Sequence, residues 1–351
     1  MVACLIRQVA MEKAECRGRV CVTGATGFIG SSLTKKLLEK GYTVHATLRN
    51  LGNLSKVELL KSFPHADTNL VLFEADINNP NEFEPAIHGC TFVFHVATPL
   101  QNSDASQFKN TTEAAVSAIK SIYESCIKSG TVKRLIYTAS VCAASPLKDD
   151  GSGYKDSMDE TCWTPLDLSL AYSNDFCKDY TLSKTLSEKQ VLSHGSSEKD
   201  GGLEVVTLAC GIVGGDTVLP YTPGSVACFI SQLTDDSLSY QALKYTEQLL
   251  GKLPILHIND VCEALFFCIL NPSICGRFLI ASSFVSAAEL AECYQTHYPE
   301  FNVKAENLDG PQSDVKWGST KLIEKGFEYK CNLKMIMDDS IKCARRTGDL
   351  Q

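Results

Sequence analysis

Apolar and polar positions along this chain keep switching between a two-residue and a helical period, and the switches predict its architecture. The run Arg19-Val20-Cys21-Val22 reads as a strand, Thr23 to Gly30 as a glycine turn, and residues 31–40 as an amphipathic helix. Further strands are predicted at 42–49, 70–76, 91–97, 133–140, 204–209 and 253–258, with helices at 81–87, 111–129, 178–192 and 260–270. Strands alternating with helices predict an α/β fold built on a doubly wound parallel sheet. Residues 145–177 and 216–251 lose this rhythm. The first is long for a connector and predicts a loop over a site. Residues 287–351 predict short helices mixed with turns.

Composition narrows the class. The 351 residues, 44% hydrophobic and 21% charged, accommodate a dinucleotide-binding domain plus roughly a hundred further residues. The expected division is an N-terminal extension at 1–17 and a nucleotide-binding domain at 18–209, completed by about 252–282. A smaller substrate-binding region takes 210–251 and 283–351. A net charge of −8 without a basic tract argues against nucleic acid as a partner. The sixteen cysteines are scattered through apolar runs without a C-x-x-C pair, which predicts reduced, buried thiols and a cytoplasmic protein. Arg7 and Gln8 break the first apolar run, so no signal peptide is expected, and no later stretch has membrane-spanning length. The seven histidines lack metal-ligand spacing, so no metal is expected.

The candidate chemistry begins at the turn. Gly24, Gly27 and Gly30 lie between a strand and a helix, where glycines permit a tight turn, close approach of backbone to a diphosphate, and helix-on-sheet packing. At the end of the second strand, where an acidic residue would bind the ribose of NAD, stands Arg49. Its guanidinium suits the 2′-phosphate of NADP, and Lys56 adds a second positive charge. Asp76 follows the third strand toward the adenine end, and Val96 to Thr98 follow the fourth toward the ribose. Tyr180 and Lys184 form Y-x-x-x-K on one helix face, so the ammonium is expected to lower the tyrosine pKa and make it a usable proton donor. Ser140 ends the fifth strand, where its hydroxyl can polarise a substrate carbonyl. A second Y-x-x-x-K, Tyr240 and Lys244, falls past the sixth strand and is set aside. His257 and Asp260 read as structural, with Asp260 expected to cap a helix.

Val22 to Gly30, Ala46-Thr47-Leu48-Arg49, Phe94 to Pro99, Asp159-Glu160-Thr161-Cys162-Trp163 and Tyr180 to Thr185 together carry a resemblance. The chain resembles the plant dihydroflavonol 4-reductase and anthocyanidin reductase family of extended short-chain dehydrogenase/reductases, whose turn is G-x-x-G-x-x-G. The likeness runs from about Gly18 to Gly348 and is nearest the HC-toxin reductase-like branch, through Gly41 to Asn50 and Thr138 to Lys148. It implies a Rossmann-type fold, NADPH as cofactor and Ser140, Tyr180 and Lys184 as the catalytic set. The implied cofactor contacts are Thr23, Gly24, Gly27, Phe28, Ile29 and Gly30 at the turn, and Arg49 and Lys56 on the 2′-phosphate. Asp76 and Ile77 fall on the adenine side, Val96, Ala97 and Thr98 on the ribose, and Cys210, Val213 and Ser225 at the nicotinamide end.

Three departures qualify this. Cys210-Gly211 stands where the family usually has a proline. Ser145 replaces an asparagine that chooses the B-ring pattern, which argues against a dihydroflavonol, and Lys178 to Lys184 lacks the signature of coenzyme A thioester reductases. The expected activity is hydride transfer from NADPH to a carbonyl, or a conjugated ring, of a flavonoid-like or other plant or xenobiotic small molecule. The alternatives are an NAD(P)-dependent epimerase or hydroxysteroid dehydrogenase, and a non-catalytic NADP sensor.

Overall fold

Twelve strands organise the computed structural model, which describes residues 17–99, 108–150, 152–167, 169–194, 202–309 and 313–351. They are β1 (Arg19–Thr23), β2 (Thr43–Leu48), β3 (Leu70–Glu74), β4 (Phe92–His95), β5 (Arg134–Ser140), β6 (Ser157–Met158), β7 (Glu204–Cys210), β8 (Ile212–Gly214), β9 (Leu253–His257), β10 (Gly276–Ile280), β11 (Ser283–Val285) and β12 (Lys316–Trp317). The described helices of eight residues or more are α1 (Phe28–Glu39), α2 (Leu54–Lys61), α3 (Thr111–Ser129), α4 (Asp175–His194), α5 (Ser237–Leu250), α6 (Ile258–Leu270), α7 (Ala287–His297) and α8 (Leu333–Thr347). The predicted N-terminal extension lies outside the described residues, save Arg17.

Seven strands form a parallel sheet in the order β10-β7-β5-β4-β1-β2-β3. The order reverses at β1, so a crevice opens between the carboxyl ends of β1 and β4, the place where open α/β sheets bind ligands. Alternate side chains of β1 explain how both faces are covered: Val20 and Val22 join a core with Leu33, Leu37, Val261 and Leu265, while Cys21 joins another with Ile119, Ile122 and Val191. Burying each such leucine or isoleucine contributes about 1.5–3 kcal/mol. α3 starts where Asn110 accepts the Glu113 amide at 2.8 Å and stops at Gly130, φ 65°, on the predicted boundaries.

The C-terminal part differs from expectation. β8, β9 and β11 make a separate three-stranded sheet over a third core that includes Phe229, Leu243, Ile255, Tyr294 and Ile336. α5 occupies much of the unpatterned 216–251 segment, its start set by Asp236 accepting the Leu238 and Ser239 amides. α7 and α8, of 11 and 15 residues, are longer than the predicted short helices.

The connector at 145–177 is anchored to the sheet around Glu160 to Trp163. Arg277 on β10 donates to the carbonyls of Ala143 (3.1 Å), Glu160 (3.0 Å) and Cys162 (2.5 Å), lies 3.7 Å from the Trp163 ring centre, and pairs with Glu188 of α4 at 3.1 Å. Glu188 has no exposed surface and also accepts from Thr207 at 2.6 Å. One buried ion pair therefore ties the sheet edge, α4 and the connector together.

The fourteen described cysteines are all unpaired, and no described helix is long and apolar enough to cross a membrane. Removing one partner of the buried pair leaves the other charge uncompensated. Glu188→Ala is expected to lose about 3–5 kcal/mol in urea unfolding, and the double change Glu188→Leu with Arg277→Met should recover most of it.

Candidate active site

The glycine turn is built by exclusion. Gly24 has φ 67°, and a Cβ there would come within 2.9 Å of the Ala97 Cα. At position 30 a Cβ would sit 2.1 Å from the Gly24 carbonyl oxygen, so only glycine lets α1 approach β1 this closely. Gly27 is different: it is exposed, and a Cβ there would meet only the Gly24 oxygen, at 3.4 Å. Internal packing thus permits alanine at 27. A Cβ at 27 would instead project where a diphosphate lying against the turn would have to approach the backbone. Gly27 caps α1 without a side-chain hydrogen bond, and the first turn of α1 holds no acidic residue, so its amides and dipole remain suited to an anion. Phe28 and Ile29 are part-buried against the first core.

Thr23 serves the fold. Its fully buried hydroxyl donates to His95 Nδ1 at 2.9 Å and accepts the amides of Val96 and Ala97 at 3.1 Å each. Burial holds the His95 pKa down at about 3, so the ring is neutral and able to accept. This junction joins β1 to the end of β4 and sets the path of Val96, Ala97 and Thr98.

Arg49 follows β2 in an exposed position and Lys56 lies in the first turn of α2. Among the described residues neither makes an ion pair. Asp76 turns inward: its Oδ1 accepts the Asn78 amide at 2.9 Å and side chain at 3.0 Å. Ile77 is buried in the second core, and Cys210 and Val213 in the first. Ser225 is part-buried on the short helix Gly224–Phe229.

Ser140, Tyr180 and Lys184 meet at the carboxyl end of β5. Ser140 lies close enough to Tyr180 to lower its pKa, and its Oγ accepts the Cys142 amide at 3.2 Å. Lys184, buried, donates to Thr98 Oγ1 and the Thr138 carbonyl, both at 2.9 Å, so it links the triad to the end of β4.

The expected depression of the Tyr180 pKa is not found. Burial pushes it up, the nearby Cys142 adds to this, and only the Ser140 hydroxyl opposes it. The reason is direction: the Lys184 ammonium points at Thr98 and Thr138 and stands 6.0 Å from the centre of the Tyr180 ring. Burial also brings Lys184 down to about 8. Cys210, Glu188 and Cys142 oppose that shift; both thiols are held protonated at neutral pH, which leaves Glu188 as the counter-charge.

Other candidates fall to structural roles. Lys244 pairs with Glu247 inside α5, and Glu247 accepts the Ala287 amide at 2.5 Å. His257, not Asp260, caps α6, while Asp260 accepts the Lys330 and Cys331 amides at 3.0 and 3.1 Å. Ser145 is fully buried and donates to the Leu249 carbonyl at 2.5 Å. Sequence reasoning missed Cys142, whose amide donates to Ser140 Oγ, and Phe176, stacked on Tyr180. The four-residue spacing from Phe176 to Tyr180 carried that second signal.

Residues 20–277 match the NAD dependent epimerase/dehydratase family, and the chain belongs to it. Within that family it is an oxidoreductase of the dihydroflavonol 4-reductase and anthocyanidin reductase group. It is 34% identical to vestitone reductase of Medicago sativa over 96% of this chain and 100% of that one. It is 33% identical to dihydroflavonol 4-reductase of Callistephus chinensis, over 94% and 87%. The crystal structure of the alfalfa vestitone reductase superposes with a TM-score of 0.76 over 95% of this chain and 100% of that one, at 32% identity. A yeast methylglyoxal/isovaleraldehyde reductase complexed with NADPH shares the fold at TM-score 0.73 and 18% identity, over 95% and 100%.

Two glycines of one turn are expected to behave oppositely. Gly27→Ala should keep thermal stability within about 1 kcal/mol of wild type but weaken dinucleotide binding by calorimetry. Gly30→Ala should fold poorly or unfold at markedly lower temperature.

Proposed function

We propose that the protein is an NADPH-dependent reductase that transfers hydride to the carbonyl, or conjugated ring, of a flavonoid-like or related aromatic small molecule in the cytosol. The observation that carries this reading is the link from Lys184 to both Thr98 and Thr138, which ties the helix bearing Tyr180 to the end of β5 and to the segment after β4 that packs on the glycine turn. The names of the relatives support a flavonoid-like substrate. The unpaired thiols of the described cysteines support a reducing compartment.

In this reading residues 18–209, with about 252–282, hold the cofactor, and 210–251 with 283–351 shape the substrate end. The α1 amides would hold the diphosphate, Arg49 and Lys56 the 2′-phosphate, and Lys184 the ribose next to the nicotinamide. NADPH, when bound, supplies the hydride. Ser140 and Tyr180 donate hydrogen bonds to the substrate oxygen and stabilise charge as it builds there. Burial keeps the Tyr180 phenol protonated until that oxygen becomes a stronger base, and Tyr180 then gives up its proton. The Lys184 ammonium offsets the phenolate left behind.

NADPH consumption measured against flavonoids, simple ketones and aldehydes should reveal turnover, with NADH a poor substitute. Silence across that panel would sink the reading. Arg49→Ala should weaken NADPH about tenfold or more and leave NADH nearly unchanged, because one charge-assisted contact to the 2′-phosphate is lost.

The pH profile follows from Lys184, whose pKa near 8 leaves it charged below that value and neutral above it. kcat/KM for reduction should be level through neutral pH and fall above about pH 8. A rise between pH 8 and 10 would contradict this role.

A further inference from the structure

Between β7 and the short helix Gly224–Phe229 the chain runs through a stretch that begins and ends beside the catalytic candidates. At its start Cys210 is the strand neighbour of Ser140, and its thiol lies close enough to Tyr180 and Lys184 to act on both. At its end Cys228, in the short helix, lies beside Cys142, which follows Ser140 closely, and Cys177, which precedes Tyr180 on α4. Residues 215–223, in between, form neither helix nor strand. Leu219 is buried, but Val218 and Tyr221 are 41% and 50% exposed, so this loop has no core of its own.

Its support comes from the C-terminal helix. α8 meets the start of the loop at backbone distance: a Cβ at Gly214 would fall 2.5 Å from Ile336 Cγ2, and Ser340 Oγ accepts the Gly215 amide at 2.8 Å. Arg346, in the last turn, then turns its fork on the loop. Nη1 donates to the Leu219 carbonyl at 3.0 Å, and Nη2 to the Thr217 carbonyl at 2.5 Å and the Asp216 carboxylate at 2.9 Å. Lys342 adds a second contact to Asp216 at 3.2 Å, and the hydroxyls of Thr222 and Thr347 meet at 2.5 Å.

Stability alone explains this set poorly. α8 is already seated by Ile336, Met337, Ile341 and Ala344 in the third core, and the Arg346 side chain is 40% exposed, where an ion pair contributes little. What a planar guanidinium with three acceptors on one loop does supply is a fixed path for that loop. The path matters at this place, because misplacing a substrate by about 1 Å can slow a reaction about 100-fold.

From this arrangement we infer that Arg346 is a positioning residue: through it α8 fixes residues 216–219 beyond the carboxyl end of β7, and this sets how a substrate meets Ser140 and Tyr180. The inference rests on the reductase reading for the reaction that is positioned, and it extends the site to the C-terminal helix.

The test compares Arg346→Ala and Arg346→Lys with Arg345→Ala, the neighbouring arginine that points to Glu300 at 3.0 Å instead. In Arg346→Ala loaded with NADP⁺, amide hydrogen exchange over 215–222 should quicken about tenfold or more, while the melting temperature stays within about 2 °C of wild type and NADPH affinity within about twofold. kcat/KM for the carbonyl substrate should fall about tenfold or more, chiefly through KM. Arg346→Lys keeps the charge without the fork and should fall between wild type and Arg346→Ala. Arg345→Ala should match wild type throughout.

Unchanged exchange over 215–222 in Arg346→Ala overturns the inference, as does a kcat/KM within about twofold of wild type. A melting temperature and an NADPH affinity that fall together with kcat/KM overturn it too, since they mark a merely structural role, and so does an equal loss in Arg345→Ala. Silence of wild type on every carbonyl compound would sink the reductase reading instead. In that case faster exchange at an unchanged melting temperature still upholds the hold of Arg346 on the loop, and unchanged exchange overturns it.

Discussion

The position of the Gly24 carbonyl oxygen, 2.1 Å from where a side chain at residue 30 would begin, sets how closely α1 can approach the end of β1. The same turn brings Gly24 against Ala97, and the buried Thr23 hydroxyl holds that second contact through the amides of Val96 and Ala97. A helix N-terminus is thereby fixed at the switch point of the sheet, with Thr98 immediately beyond it. Thr98 in turn takes a hydrogen bond from Lys184, so a backbone contact at the glycine turn is relayed in three steps to the catalytic candidates.

The relay ends in buried charge. Lys184 and Glu188 lie one turn apart on α4, and Glu188 is held by Arg277 from the sheet edge. Burying an ammonium costs free energy, which appears as its lowered pKa, and the Glu188 carboxylate offsets part of that cost. The same pair pins residues 145–177, through the bonds of Arg277 to the carbonyls of Ala143, Glu160 and Cys162. Stability and catalytic geometry therefore draw on one network.

Much of this was legible in the sequence because the deciding physics is local. The turn, α3 and six of the seven strands of the main sheet follow from period, glycine spacing and capping residues, and the Y-x-x-x-K spacing put Tyr180 and Lys184 on one face. What escaped is decided by distance in space. β10 and β11 are short strands whose partners lie elsewhere in the chain, and α5 has a polar face that blurs its pattern. The direction of the Tyr180 shift depends on where the Lys184 ammonium points and how deeply the phenol is packed, and spacing carries neither. Ser145 shows the converse: an implied specificity position whose hydroxyl is spent on the Leu249 carbonyl.

In the proposed reaction Tyr180, aligned by Ser140 and Lys184, donates the proton that completes reduction by NADPH. The most direct measurement is single-turnover NADPH oxidation by Tyr180→Phe, paired with its affinity for NADPH. A loss of about 100-fold or more in rate is expected, with cofactor affinity close to wild type. Turnover near the wild-type rate, on any substrate that the wild type reduces, would contradict it.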